Sequence, residues 1–153
     1  MLLQRRRCGC RSQYPSLYAR LQFVLNAAAR LIFHLRRSDR ISDALVNLHW
    51  LRVPERIEFK IAVLTYKVLC GATPRYLGPL NRTAHMADRR PLRSSATNRL
   101  VVPSYRLSSV CSRAFPVAAA KIWNALPDNL VSATSLQSFR RHLKTFLFQR
   151  SFS

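Results

Sequence analysis

The acidic side chains are the first place to look for catalysis or metal binding, and this chain of 153 residues has six of them. Glu55 and Glu58 lie three residues apart, which places both carboxylates on one face of a helix. That spacing suits a metal ion, but no histidine follows at a helical offset to complete the site. A position in the first helical turn, where carboxylates favour the helix dipole, explains both residues more simply.

The cysteine, histidine, serine and glycine residues also lack the spacing of a catalytic or metal-binding motif. Cys8 and Cys10 are separated by one residue, and no other Cys or His pair stands at the spacing of zinc ligands. Three glycines cannot build a glycine-rich phosphate loop, and no serine lies in a nucleophile elbow. We therefore predict that the protein is not an enzyme and has no catalytic residue, no metal site and no cofactor.

The charge balance is the strongest feature of the composition, with 26 Lys and Arg against 6 Asp and Glu, a formal net charge of +20. Such a surplus destabilises a compact chain by self-repulsion unless a polyanion neutralises it. Nucleic acid is the usual polyanion, and the forked guanidinium of arginine suits phosphate. The charge therefore favours RNA or DNA as a partner. A fragment of a larger basic protein, never selected to fold alone, is the alternative.

Two clusters of basic residues are the candidate phosphate contacts. The first lies in an arginine-rich connection, at Arg82, Arg89, Arg90, Arg93 and Arg99. The second lies on the last predicted helix, at Arg140, Arg141 and Lys144. For all of these a solvated surface is the alternative. Tyr76 and Tyr105 have rings that could stack on bases, although we favour packing within the protein for both tyrosines.

Apolar periodicity predicts a mainly α protein, a small helical bundle. Helices are expected at about 16–35, 42–48, 54–70, 118–126 and 135–148. The helix at 54–70 is the best specified, because Pro54 suits its first turn and Gly71 suits its C-terminal cap. Its apolar residues, spaced by three and four, are expected to face the core: Ile57, Ile61, Leu64 and Val68.

The first predicted helix has a similar apolar stripe, also expected to face the core. The stripe comprises Leu17, Leu21, Val24 or Leu25, Ala28, Leu31 or Ile32, and Leu35. In the fourth helix, Trp123 and Leu126 are expected on the buried side.

Composition divides the chain into four segments: a basic irregular lead (1–14), a helical bundle (15–80), an Arg-rich extended connection (81–113) and a C-terminal helical segment that packs on the bundle (114–150). Prolines keep the connection irregular. Two short apolar runs, at 100–103 and 115–117, allow at most two short strands.

No apolar run approaches the roughly 20 residues that a membrane helix needs, so no membrane association is expected. The first 38 residues contain no acid, which resembles a mitochondrial presequence in composition. The paired Leu2 and Leu3 are too short for the core of a signal peptide. The location stays open, with the nucleus favoured over the mitochondrion.

Eight phrases of the chain, taken together, resemble one family. They are Leu25-Asn26-Ala27-Ala28-Ala29-Arg30-Leu31, Leu48-His49-Trp50-Leu51-Arg52-Val53-Pro54-Glu55-Arg56-Ile57, Phe59-Lys60 with Tyr66-Lys67, Pro74-Arg75-Tyr76-Leu77, Leu92-Arg93-Ser94-Ser95, Leu100-Val101-Val102-Pro103, Trp123-Asn124-Ala125-Leu126-Pro127, and Ser138-Phe139-Arg140-Arg141-His142-Leu143-Lys144-Thr145. In this order they resemble the region downstream of the polymerase domain in reverse transcriptases of LINE-type (non-LTR) retrotransposons, of the jockey-like and related kinds. The similarity covers about residues 17–148.

The resemblance implies an origin in a transposable element that copies its RNA at a nicked chromosomal target. The catalytic aspartates of such RNA-directed DNA polymerases lie in a Tyr-x-Asp-Asp loop and upstream of it, and this chain has no adjacent aspartates. The activity therefore does not transfer. What the resemblance implies is a non-catalytic accessory region that contacts nucleic acid, with the polymerase domain of the parent element as a further partner. The alternative is an inert truncated fragment, built to pack against an absent polymerase core.

Overall fold

The computed structural model of the protein describes residues 15–85, 98–107 and 111–152. Its α-helices are α1 (Pro15–Phe33), α2 (Ile41–Asn47), α3 (Val53–Leu69), α4 (Phe115–Asn124), α5 (Asp128–Val131) and α6 (Leu136–Phe152). The described residues form no strand, so the prediction of a mainly helical fold is confirmed. No described helix has the length and apolarity that crossing a membrane requires. The predicted basic lead at 1–14 lies outside the described residues.

The chain divides into two compact units, Met1–Pro54 and Glu55–Ser153. The first unit holds α1, α2 and the start of α3. The second unit holds the rest of α3 and the helices that follow it.

In the first unit, α1 lies against α2 through its small and polar side, with Ala29 and the α2 residues Ala44 and Leu45 buried. On the same side of α1, the Gln22 Oε1 atom accepts a hydrogen bond of 2.9 Å from the backbone N–H of Val53. A small residue such as alanine lets two helix backbones approach closely, and this contact decides which side of α1 is buried.

The apolar stripe predicted to bury α1 is therefore exposed in the structure, and that prediction is wrong. The exposed members are Leu17, Leu21, Val24, Leu31 and Ile32. Leu25, the alternative to Val24, and Ala28 are half-buried, as is Leu35, which lies beyond the end of α1. The periodicity identified an amphipathic helix correctly, but it did not identify the side that faces the neighbouring helix.

Left-handed cap residues end α1, α2 and α3. Gly71, with φ of 70°, ends α3 as predicted, and its N–H bonds to the Val68 carbonyl. Two histidines take the same position elsewhere: His34 follows α1 with φ of 51°, and His49 follows α2 with φ of 52°. An L side chain is strained at such a φ, whereas glycine is not.

The core of the second unit is built on an aromatic cluster from three helices. The rings of Tyr66 (α3) and Phe139 (α6) are stacked at 4.7 Å between centroids, and Trp123 (α4) lies 5.7 Å from Phe139. Nearer the start of α3 and nearer the end of α6, Glu58 forms an ion pair with Arg150. The order of these two contacts shows that α3 and α6 run antiparallel.

The buried face of α3 also differs from the prediction. Ala62, Thr65 and Tyr66 are buried, whereas Leu64 is exposed and the rest of the predicted stripe is half-buried. The Thr65 hydroxyl donates to the Ile61 carbonyl at 2.8 Å, so this polar group is satisfied within its own helix. The face of α3 that carries Tyr66, whose ring belongs to the aromatic cluster, is thus buried in place of the aliphatic stripe.

The apolar run 115–117 is the first turn of α4 rather than an extended segment, so that interpretation is wrong. Pro116 suits the start of a helix, where its missing N–H is not needed. Trp123 is buried as predicted, while Leu126 lies half-buried beyond the end of the helix. The short helix α5 has no counterpart among the predicted helices.

Candidate nucleic-acid interface

Three of the predicted phosphate contacts lie together on α6. Arg140, Arg141 and Lys144 are all exposed. Successive residues of an α-helix are rotated by about 100°, so the three side chains fall within an arc of about 100° on one flank. We call Arg140, Arg141 and Lys144 the α6 flank.

The rotation of α6 is set by its buried stripe. Phe139, Leu143 and Leu147 are at most 1% exposed, and they follow the spacing of four that keeps side chains on one face. Because these three residues anchor the helix in the core, the α6 flank is held toward solvent by the packing of the domain.

The α6 flank carries its positive charge without a carboxylate on the same helix. Helix α6 contains no Asp or Glu, and within the described ranges no carboxylate pairs with any of the three cations. Arg150, on the same helix, differs because it pairs with Glu58 and lies 5.9 Å from the Phe146 ring. That arginine therefore serves the packing of α6 on α3.

The arginine-rich connection is only partly described, and its two described ends meet. Arg82 and Leu100 form an isolated antiparallel bridge, flanked by a 2.9 Å hydrogen bond from the Thr83 N–H to the Arg99 carbonyl. Side chains alternate between faces along paired extended segments. The side chains of Arg82, which is half-buried, and Arg99, which is exposed, are consequently expected on opposite faces of the paired segments. The bridge brings their backbones together without placing their guanidinium groups in one site.

The other predicted contacts of the connection, Arg89, Arg90 and Arg93, lie outside the described residues.

Helix α4 fixes the end of the connection that carries Arg99. The Trp123 indole N–H donates to the Asn98 carbonyl at 2.9 Å, and the Asn124 side chain bonds to both backbone groups of Leu100. Tyr105 is also engaged, since Lys121 Nζ donates to its hydroxyl at 2.7 Å and lies 4.7 Å from its ring. This tyrosine is thus held by the protein rather than presented for stacking.

Arg75 and Tyr76 are two further exposed residues, which the sequence pattern did not single out as a pair. Packing of Tyr76 on the bundle was expected, but the side chain is 83% exposed, so that interpretation is wrong. Both residues belong to one short turn of 3-10 helix, Arg75–Leu77, which follows α3. A turn of three residues is too short to show an apolar periodicity. The only sequence signal for the pair was that an arginine and a tyrosine follow Pro74 directly.

One carboxylate of the pair considered for metal binding has a structural role. Glu58 is engaged with Arg150. Within residues 15–85, 98–107 and 111–152, no group of three His, Cys, Asp or Glu side chains is placed to hold a metal ion.

Comparison with known proteins adds no family to these observations. No protein family model, curated protein or solved structure matches the chain.

Proposed function

We propose that the protein binds RNA or DNA through backbone phosphates, as the non-catalytic C-terminal region of a LINE-type reverse transcriptase. The observation that carries the proposal is the α6 flank, with Arg140, Arg141 and Lys144 exposed on one side of a helix that is anchored in a core. The net charge of +20 supports the same partner.

The α6 flank suits the contour of a phosphate backbone rather than the edges of bases. Arg140 and Arg141 each offer a planar fork that binds two phosphate oxygens, and Lys144 offers a point charge. Because a helix is stiff and this one is anchored by Phe139, its backbone loses little freedom when the side chains engage. Binding is expected to be electrostatic and largely indifferent to sequence.

A specific observation favours a second candidate, the inert fragment that packs against a polymerase core. The apolar side of α1, with Leu17, Val24 and Leu31, is exposed in the structure. Contiguous exposed apolar side chains are typical of a surface that meets another protein. In that case the chain has no biochemical activity of its own, and its charge is only a solvated surface.

The salt dependence of binding separates the two candidates. The test variant changes Arg140, Arg141 and Lys144 to Gln, and the control variant changes the exposed Arg20, Arg37 and Arg40 to Gln. Each phosphate contact contributes about −0.9 to the slope of log affinity against log salt on duplex DNA, and about −0.7 on single strands. Fluorescence anisotropy should show a slope flattened by about two to three units in the test variant.

The control variant removes the same amount of charge from positions outside the α6 flank, so under the proposal its slope should change less. Equal flattening in both variants would mean that the charge acts as a whole and not through the α6 flank. If the unchanged protein shows no salt-dependent binding to either nucleic acid, the inert fragment is the better description. Circular dichroism of each variant verifies that its helices are intact.

A further inference from the structure

An open groove of about 810 Å³ lies beside the end of α3. Its apolar lining comes from Val68 and Leu69 of the helix and from Leu80 of the segment that follows. Its polar lining includes Arg75, Asn81 and Arg82. The volume falls within the roughly 300–1,000 Å³ that ligand sites in proteins occupy.

The electrostatics of the groove favour an anion. Arg75 and Arg82 both line it, and no acidic residue does among those that the structure describes. Within the described part of the chain, no carboxylate pairs with either guanidinium group. Two uncompensated arginines on an apolar lining suit a ligand that carries phosphate groups together with flat, weakly polar surfaces.

The chain segment that lines this groove also carries an exposed aromatic residue, Tyr76. It lies in the chain between two lining residues, Arg75 and Gly78, yet it does not line the groove itself. Its 83% exposure is the largest among the exposed large apolar and aromatic side chains of the described residues. An exposed aromatic ring in a segment that also supplies two arginines is a combination with which proteins bind single strands.

We propose that this groove binds a single strand of RNA or DNA, with phosphates on Arg75 and Arg82 and a base stacked on Tyr76. This inference rests on the proposed function, because it names the form of nucleic acid and a second contact site. A duplex hides the faces of its bases within the stack, so Tyr76 has no base to meet there. The selectivity of the groove for single strands therefore depends on the tyrosine ring.

The test uses three fluorescein-labelled probes of about 12 nucleotides, within the range of known single-strand sites. They are oligothymidine, an abasic strand with the same phosphates, and a duplex. Tyr76→Ala should weaken binding of oligothymidine at least about fivefold, since stacking contributes at least that factor per base. The same variant should bind the abasic strand and the duplex as the unchanged protein does. Tyr76→Phe keeps the ring and should retain the affinity for oligothymidine.

Two further variants make the test specific. Tyr18→Ala removes another exposed tyrosine, on α1, and should leave oligothymidine binding unchanged. Arg75→Gln combined with Arg82→Gln should flatten the salt slope on oligothymidine by about 1.4 units, from about 0.7 for each phosphate.

The inference is overturned if Tyr76→Ala binds oligothymidine as tightly as the unchanged protein does. It is overturned as well if all three probes lose affinity equally, because the change then acts on charge or folding. Binding of an acidic peptide with the same dependence on Tyr76 would assign the groove to a different ligand. If the groove fails while the Gln changes of the α6 flank still flatten the salt slope, the proposed function stands. If no probe binds even at low salt, both fall.

Discussion

The side-chain amide of Asn124 pairs with both backbone polar groups of Leu100. Its Oδ1 atom accepts from the Leu100 N–H at 2.8 Å, and its Nδ2 atom donates to the Leu100 carbonyl at 2.9 Å. Leu100 is only 2% exposed, so the amide takes the place of water at a buried extended segment. The neighbouring Trp123 donates one hydrogen bond to the Asn98 carbonyl, and α4 thereby fixes the chain that leads to Arg99.

Asn124→Ala should destabilise the protein by about 2–4 kcal/mol, because two buried backbone groups lose their partners at once. Asn124→Asp keeps an acceptor for the Leu100 N–H but directs a carboxylate at the Leu100 carbonyl, so it should also destabilise. Urea unfolding followed by circular dichroism measures both variants. Asn129→Ala, at an exposed position of α5, is the control and should change the free energy of unfolding by less than about 0.5 kcal/mol. If Asn124→Ala unfolds at the same midpoint as this control, the amide pairing does not stabilise the fold.

Phe139→Ala should destabilise by about 3–5 kcal/mol, since the ring is fully buried and contacts both Tyr66 and Trp123. Phe139→Leu fills more of the space and should lose less. Phe23→Ala on α1 is the matched control, because that ring is 72% exposed and should contribute little to the free energy of unfolding. A comparable loss of stability in Phe23→Ala would contradict the exposure of α1 described here.

His34→Gly should stabilise the protein by about 0.5–1 kcal/mol, because the histidine sits at a φ of 51° that glycine adopts without strain. The same change at His142, exposed within α6, should destabilise by about 0.5–1 kcal/mol, since glycine weakens a helix interior. Thermal unfolding of the two variants should therefore shift in opposite directions. A destabilised His34→Gly variant would show that the imidazole makes a contact whose stabilising free energy exceeds the cost of the backbone strain.

Local signals in the sequence predicted the helices well, because they act within a few residues. Gly71 marked the end of α3, and the buried Phe139, Leu143 and Leu147 of α6 follow a spacing of four that can be read from the sequence. Orientation was harder to predict, since it depends on which neighbour a helix meets. Ala29, not the larger Leu21 or Leu31, is the buried residue of α1, and only the close approach of α2 explains that choice.

The candidate nucleic-acid interface was also predictable only where it depends on local patterns. The exposure of Arg140, Arg141 and Lys144 follows from the apolar stripe of α6, because the three residues fall outside it. No apolar periodicity predicts that Tyr76 follows a groove-lining residue. The groove is formed by a helix end and an irregular segment, which have no repeating pattern. The pairing of Asn124 with Leu100 joins residues 24 apart in the chain, beyond the reach of local patterns.

Alkaline pH should destabilise the second unit through Tyr66. Burial raises the pKa of the Tyr66 hydroxyl above its ordinary value of 10.0, and the nearby Cys70 thiol raises it further. Since the folded state then holds the phenolic proton more tightly than the unfolded chain, the contribution of Tyr66 is complete below pH 10.0 and is lost as the pH rises through its folded pKa.

Replacing Tyr66 by Phe separates this titration from that of the lysines and cysteines. At neutral pH, Tyr66→Phe should be less stable by about 1 kcal/mol, because the hydrogen bond from the hydroxyl to the Ala133 carbonyl is lost. The difference should shrink as the pH rises above the ordinary value of 10.0, where the unchanged protein must either keep a costly proton or bury a phenolate. Cys70→Ala should reduce the alkaline loss without abolishing it, since burial is the larger cause. Free energies of unfolding from urea titrations at several alkaline pH values measure this, and parallel curves for the unchanged protein and Tyr66→Phe would show that the hydroxyl is not desolvated.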